Sequence, residues 1–323
     1  MLARQVTKLS CDSARREPAP RTAASSDQSG CALSRRDFVK ISGVCAASLA
    51  TAGVVKGSEK QALDPDRKGV LVDLTVCIGC RRCEWACNDE NGLPNGELHE
   101  FDDRSVLESK RRPTSTQLTV INRVLSDDPA KPTFVKSQCM HCEHPACASA
   151  CLVGAMRKTP SGPVIYDASR CIGCRYCMVA CPYQFAAYEY ENALTPQVKK
   201  CQLCPSRTSR GELPACVAMC PVEALTYGRR DELLALAHER IQCNPDRYVD
   251  HVYGEHEGGG TSWLYLADRP FAELGFPALG PSSPAQLTET IQHGIFKGFA
   301  APVMLFGLLG AIGKLSHSAK VTP

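Results

Sequence analysis

Short apolar runs alternate with glycine, proline and charged clusters along most of the chain, and few segments are long enough for more than a short element. Val70–Asp73 and Val164–Tyr166 predict two short strands, each feeding a dense cysteine loop, with a short helix after each loop. Gln117–Val124 alternates well enough for a further strand. Asp231–Ile241 places Leu233, Leu236, Ala237 and Ile241 on one helical face, with acids in the first turn. The stretch HVYGEHEGGGTSWLYLADRP then predicts a glycine-rich turn before an apolar strand. Two uncharged apolar runs stand apart, Ile41–Val55 and Gly298–Gly313.

Charge adds little. There are 37 Lys and Arg against 34 Asp and Glu, a net of +3, and no arginine stripe interleaved with aromatics, which argues against nucleic acid as a partner. At 323 residues the chain has room for one large or two small domains plus appendages. Lys110-Arg111-Arg112 is read as a solvated face, with partner docking as the alternative. Gly258-Gly259-Gly260 lacks a following Lys-Ser/Thr and is not a phosphate loop. No nucleophile–base set is apparent, so the chain is not read as catalytic on its own.

Cysteine changes the picture. Of 20, sixteen fall into four groups of four: Cys77, Cys80, Cys83, Cys87; Cys139, Cys142, Cys147, Cys151; Cys171, Cys174, Cys177, Cys181; and Cys201, Cys204, Cys216, Cys220. Cys11, Cys31, Cys45 and Cys243 lie outside. Disulfide scaffolds spread their cysteines to close loops, whereas thiols at i, i+3 and i+6 converge on one centre. Zinc prefers two C-x2-C pairs from separate loops, which the fourth group alone could mimic. The spacing C-x2-C-x2-C-x3-C of the first and third groups instead offers three converging thiols and a fourth that ligates a neighbouring [4Fe–4S] cube. Cys171–Cys181 followed by Pro182 matches the bacterial ferredoxin run, and Pro221 repeats the trailing proline after Cys220. The expectation is four [4Fe–4S] clusters. His141 and His144, lying among these thiols, are read as packing or hydrogen-bonding residues and not ligands. Nested and sequential pairings of the groups both give four complete sites, and spacing does not choose between them.

The runs KSQCMHCEHPAC, VIYDASRCIGCRYCMVACPY and VKKCQLCPSRTSRGELPACVAMCPVEAL resemble the four-cluster ferredoxin-type electron-transfer subunits of membrane-bound respiratory oxidoreductases, over roughly residues 70–227. The resemblance implies a nested pairing. Cys77, Cys80, Cys83 and Cys220 then hold one cluster, and Cys201, Cys204, Cys216 and Cys87 another. Cys171, Cys174, Cys177 and Cys151 hold the third; Cys139, Cys142, Cys147 and Cys181 hold the fourth. Asn88 and Leu152 replace the proline after the last cysteines of the first two groups, a change to the turn and not to ligation. The glycine-rich stretch and IQHGIFKGF are similar to the iron–sulfur subunits of hydrogenase-2 operons, extending the resemblance to about residue 313.

Ser34-Arg35-Arg36-Asp37-Phe38-Val39-Lys40 followed by Ile41–Val55 reads as a twin-arginine export signal, with Ala50-Thr51-Ala52 as a candidate cleavage site. That route carries folded proteins, so clusters can be inserted before export. The stretch before Ser34 is read as disordered, and Cys45 as a small hydrophobe.

Gly298–Gly313 is 16 residues, about 24 Å as a helix, and including Gly294–Lys297 brings it to roughly 30 Å. It is read as a transmembrane helix that tolerates Pro302, with Lys314 and Lys320 in a cytoplasmic tail; the alternative is a buried helix. His293 and His317 flank the run, which argues against haem.

The expected fold is α+β: tandem, duplicated bacterial-ferredoxin-like domains with an insertion, a C-terminal extension and one transmembrane helix. The expected boundaries are 1–56 for the N-terminal extension and signal, and 57–230 for the four-cluster domain with its insertion at 88–138. The C-terminal extension follows at 231–290, and the anchor and tail at 291–323. The resemblance implies a non-catalytic electron-transfer subunit at the periplasmic face of the inner membrane. Its partners would be the small and large subunits of a nickel–iron hydrogenase, a polytopic quinone-reactive membrane subunit, the membrane itself and the twin-arginine machinery. The alternatives are the same role for a molybdopterin oxidoreductase of the polysulfide, sulfoxide or tetrathionate reductase type, and a zinc-stabilised assembly scaffold.

Overall fold

The computed structural model describes residues 64–125 and 131–319. The twin-arginine motif, the run after it, the candidate cleavage site and Cys11, Cys31 and Cys45 lie outside the described residues. The first elements are β1 (Lys68–Asp73) and α1 (Arg82–Glu90), followed by β2 (Thr119–Val124) and β3 (Thr133–Gln138). The second cysteine group leads into α2 (Ala146–Ser149), β4 (Met156–Lys158), β5 (Val164–Tyr166) and α3 (Tyr176–Ala180). Next come β6 (Ala187–Tyr188), β7 (Val198–Lys199), α4 (Pro205–Thr208) and α5 (Ala215–Ala218). The chain closes with β8 (Leu225–Arg229), α6 (Arg230–Cys243), β9 (Trp263–Leu266) and α7 (Pro284–Ala319).

The largest sheet has the order β8–β1–β9, with β8 antiparallel and β9 parallel to the central β1. Both of its faces are covered, which is why β1 and β9 read as nearly unbroken apolar runs. Val70 and Val72 of β1 join Trp263 and Tyr265 of β9 in one core with Cys83 and Cys216. The alternate residues Leu71, Leu264 and Leu266 face the other way, against Leu233, Ala237 and Ile241 of α6. The stripe expected on that helix is thus the lid of the sheet, apart from Leu236, which is only partly buried.

Three two-stranded ribbons complete the strands: β2 with β3, β4 with β5, and β6 with β7, all antiparallel. A smaller core of Met156, Cys177, Ala186 and Val198 sits under the last two. Segment 231–290 is woven into the cysteine-bearing body: β9 pairs with β1, and residues 260–263 bond to the second cysteine loop. The Glu143 N–H donates to the Gly260 carbonyl (2.9 Å), and Ser262 N–H donates to the carbonyl of His141 (3.2 Å).

Two expectations are corrected. Residues 298–313 do lie within the long helix α7, but no helix among the described residues is long and apolar enough to cross a membrane. The uncharged run amounts to about 24 Å, and Gln286, Thr288, Glu289, Thr290, Gln292 and Lys297 precede it, so polar groups would enter a ~30 Å hydrocarbon layer. The part of the run that belongs with the cysteine-bearing body is not a buried helix either, because Phe299, Val303, Met304 and Leu305 are exposed. The second correction concerns Arg111, whereas Lys110 and Arg112 are exposed as expected. Arg111 turns inward to pair with the fully buried Glu84, and Arg112 donates to the carbonyl of Gln184 (2.7 Å).

Candidate iron–sulfur centres

Cys83 and Cys87 are one turn apart on α1, and Cys216 lies on α5, which packs against α1. In the same way α2, bearing Cys147, packs against α3, bearing Cys177. The first cysteine group therefore meets the fourth, and the second meets the third.

The thiols register one another electrostatically. Burial pushes Cys77 up to about 11, with Cys220 and Cys80 as its charged neighbours. Burial holds Cys87 well above the ordinary thiol value, and Cys201, Cys216 and Cys204 add to the effect. Cys177 is pushed up to about 11 by burial and by Cys151, Cys171 and Cys174. Cys142 is raised well above the usual range by burial and by Cys139, Cys147 and Cys181. Thiols this buried and crowded release their protons to solvent only when a cation takes the proton's place on sulfur, which is what iron supplies.

The local backbone suits this chemistry. In CIGCRRC and CIGCRYC the glycines at 79 and 173 are left-handed (φ 66° and 72°), as are Arg81 and Arg175 (φ 58° and 61°) just before each helix. The turn points backbone N–H groups at sulfur: Gly173 N–H lies 3.4 Å from Cys171 Sγ, and Ala155 N–H lies 3.2 Å from Cys151 Sγ. Such concave arrays of N–H groups stabilise anionic centres.

Two orphaned side-chain nitrogens fit bound clusters. Cys87, Cys201, Cys204 and Cys216 line one depression together with Lys136 and Trp263. The buried Trp263 indole nitrogen has no hydrogen-bond partner, and in that depression a cluster sulfide would accept from it. His141, fully buried between Cys139 and Cys142, accepts from the Val164 N–H at Nδ1 (2.8 Å), which assigns the proton to the unpartnered Nε2. Burial and the cations Lys200, Lys158 and Lys136 hold this imidazole well below its usual value, hence neutral. Cys243, at the end of α6, is exposed and apart from the sixteen.

Three residues around the centres were not anticipated: Glu84, Lys136 and Trp263. Glu84 accepts from Arg81 Nε (3.1 Å), Gln117 Nε2 (2.9 Å) and Arg111, and so fastens the insertion to α1. The sequence did carry a sign of it, an acid between Cys83 and Cys87 where the third group has Met178. Lys136 gave no such sign, because β3 was not foreseen.

This arrangement of paired cysteine loops and short helices is that of a 4Fe–4S dicluster protein. The 4Fe–4S dicluster domain family matches residues 76–155 and, in a second form, residues 130–230. The chain is 36% identical over 312 residues to the hydrogenase-2 operon protein HybA of Escherichia coli O157:H7, covering 85% of this chain and 94% of HybA. It is 31% identical over 296 residues to the iron–sulfur subunit of the nitrate-inducible formate dehydrogenase of Escherichia coli K12, covering 85% and 95%. A protein of Nitratidesulfovibrio vulgaris is 48% identical over 261 residues, covering 79% of this chain and 70% of the relative. The chain belongs to this family of ferredoxin-type iron–sulfur electron-transfer subunits, and its sixteen grouped cysteines are the complement for four [4Fe–4S] clusters.

Proposed function

We propose that the protein relays electrons between a periplasmic catalytic subunit, of the nickel–iron hydrogenase type, and a quinone-reactive membrane subunit. When bound, each cluster supplies a one-electron redox centre. The protein's own part is to hold the four centres, shield them and present one end to each partner. The proposed ligand sets are the nested ones: Cys77, Cys80, Cys83, Cys220; Cys87, Cys201, Cys204, Cys216; Cys151, Cys171, Cys174, Cys177; and Cys139, Cys142, Cys147, Cys181. What carries the reading is the packing of α1 on α5 and of α2 on α3, with thiols of the paired groups as one another's electrostatic neighbours.

The hydrogenase partner is favoured by the match to nearly the full length of HybA. A second reading, the same relay for a molybdopterin-type oxidoreductase or formate dehydrogenase, is supported by the 31% identity to a formate dehydrogenase subunit. Export by the twin-arginine route rests on Ser34–Lys40. Attachment at the membrane is proposed through the exposed apolar residues of α7, packed against the membrane subunit.

Anaerobically assembled protein should contain about 16 irons and as many labile sulfides per chain. In membranes, hydrogen should reduce both quinone and an artificial dye, and deletion of the gene should abolish only the quinone activity. Four zincs without sulfide would end the cluster reading. Formate-driven, hydrogen-independent quinone reduction would transfer the protein to the second partner class.

A further inference from the structure

Lys136, on strand β3 of the insertion, is 2% exposed and bears its ammonium in the middle of the cysteine-rich core. Its Nζ donates to Thr119 Oγ1 (2.7 Å) and to Gln138 Oε1 (2.9 Å), both neutral, and lies 4.5 Å from the centre of the Trp263 ring. Among the described residues no carboxylate pairs with it. The other buried lysines are placed differently. Lys158 pairs with Glu143 (3.3 Å), and Lys200 is held by the carbonyls of Val164 and Cys201. Burial of an ammonium without a counter-charge strongly favours losing the proton. The charge it faces is that of the cysteine sulfurs: Lys136 lines the depression of Cys87, Cys201, Cys204 and Cys216, and the Trp263 ring beside it packs in one core with Cys77, Cys83, Cys216 and Cys220. Those thiols come from two different proposed ligand sets.

We propose that Lys136 is a potential-setting residue: a permanent buried cation shared by the Cys77/Cys80/Cys83/Cys220 and Cys87/Cys201/Cys204/Cys216 centres, making both easier to reduce than their counterparts without it. The inference rests on the nested ligand sets. One-electron reduction adds one negative charge and no proton, so a fixed positive charge in a low-dielectric interior stabilises the reduced form more than the oxidised form. The insertion, otherwise unexplained by ligation, thereby acquires a task. It brings Lys136 into the core that thiols of both ligand sets share, and the Thr119 and Gln138 acceptors hold the ammonium there without cancelling its charge.

The test is an anaerobic redox titration of the cluster-loaded chain with dithionite, followed by electron paramagnetic resonance, in Lys136→Met, Lys136→Gln and Lys136→Arg. Signals are assigned beforehand with Cys80→Ser and Cys174→Ser. Both neutral variants should lower the potentials of the two centres nearest Lys136, with at least a tenfold fall in the reduced-to-oxidised ratio at a fixed poise, about 59 mV for a one-electron couple. The two centres of the second and third cysteine groups should be unmoved, and Lys136→Arg should restore most of the shift. Unchanged potentials, or an equal shift of all four centres, overturn the proposal. So does loss of clusters in both neutral variants with retention in Lys136→Arg, which would make the residue an assembly element. A wild-type chain with fewer than four clusters, or Cys220 assigned to the Cys171 centre, would instead fault the ligand sets beneath it.

Discussion

The loops CIGCRRCEWAC (77–87) and CIGCRYCMVAC (171–181) differ at only three of eleven positions, yet the protein treats them in opposite ways. In the first, Arg81, Cys83, Glu84, Ala86 and Cys87 are buried, and the arginine is tied to Glu84 and to the carbonyl of Asp103 (2.8 Å). In the second, Cys174 is exposed and Ile172, Tyr176 and Val179 stand out at 64%, 56% and 87% exposure. Arg175, in the same left-handed turn as Arg81, lies only over Tyr188 and Tyr190. The difference comes from the replacement of Glu84 by Met178 and from what is laid on top. The insertion grips Glu84 and covers the first loop, whereas nothing comparable is seen over the third among the described residues. An exposed apolar rim around a cysteine loop is what a docking partner needs, and a covered loop is what protects a centre from solvent.

Ligand removal should break the comparison most sharply. Cys220→Ser should cost the centre of Cys77, Cys80 and Cys83, about four irons, and disturb the main core beside which Cys220 packs. Cys151→Ser should cost an equal amount of iron from the exposed half and leave the covered half intact. Iron analysis with spectroscopy checks both, and loss of the Cys171 centre in Cys220→Ser would contradict the pairing.

Glu84→Ala should come next. It leaves the buried Arg81 and the half-buried Arg111 without their carboxylate, an effect of about 3–5 kcal/mol. Met178→Ala, the equivalent position in the exposed loop, should lose about 1 kcal/mol. The midpoint of thermal bleaching of the cluster absorbance should fall far more in the first variant, and similar falls would show that coverage is not what separates the loops.

A smaller contrast lies in the two glycines. Each is left-handed, so alanine costs roughly 1–2 kcal/mol at either site. At Gly79 an added Cβ would also run into the Phe134 ring, whereas at Gly173 it would meet the Tyr188 hydroxyl at 3.0 Å. Gly79→Ala should therefore lower the bleaching midpoint more than Gly173→Ala.

Least of all should stability register Val179→Asp, a change of about 0.5 kcal/mol or less at so exposed a position. The same variant should retain its four clusters and weaken partner-driven cluster reduction, the outcome expected of a docking rim. Undiminished exchange, measured as partner-driven cluster reduction, would remove the rim from the docking surface.

What the residues determined alone was the chemistry and its local geometry. Sixteen cysteines at short spacing, two CxGC turns and the strands at Val70–Asp73 and Val164–Tyr166 could be read directly, since each depends on neighbours within one turn or one strand. The α6 stripe was legible for the same reason. What remained open needed contacts between residues far apart in the chain. Only packing brought α1 to α5 and α2 to α3, and paired β9 with β1 across nearly two hundred residues. Only packing turned Arg111 from an apparent solvated charge into the partner of Glu84. Lys136 is the clearest instance. In sequence it is one lysine in an alternating stretch, and its setting is decided by Thr119, Gln138, Trp263 and thiols from both ends of the ferredoxin region. A buried charge is defined by its surroundings, and those are assembled only when the chain folds.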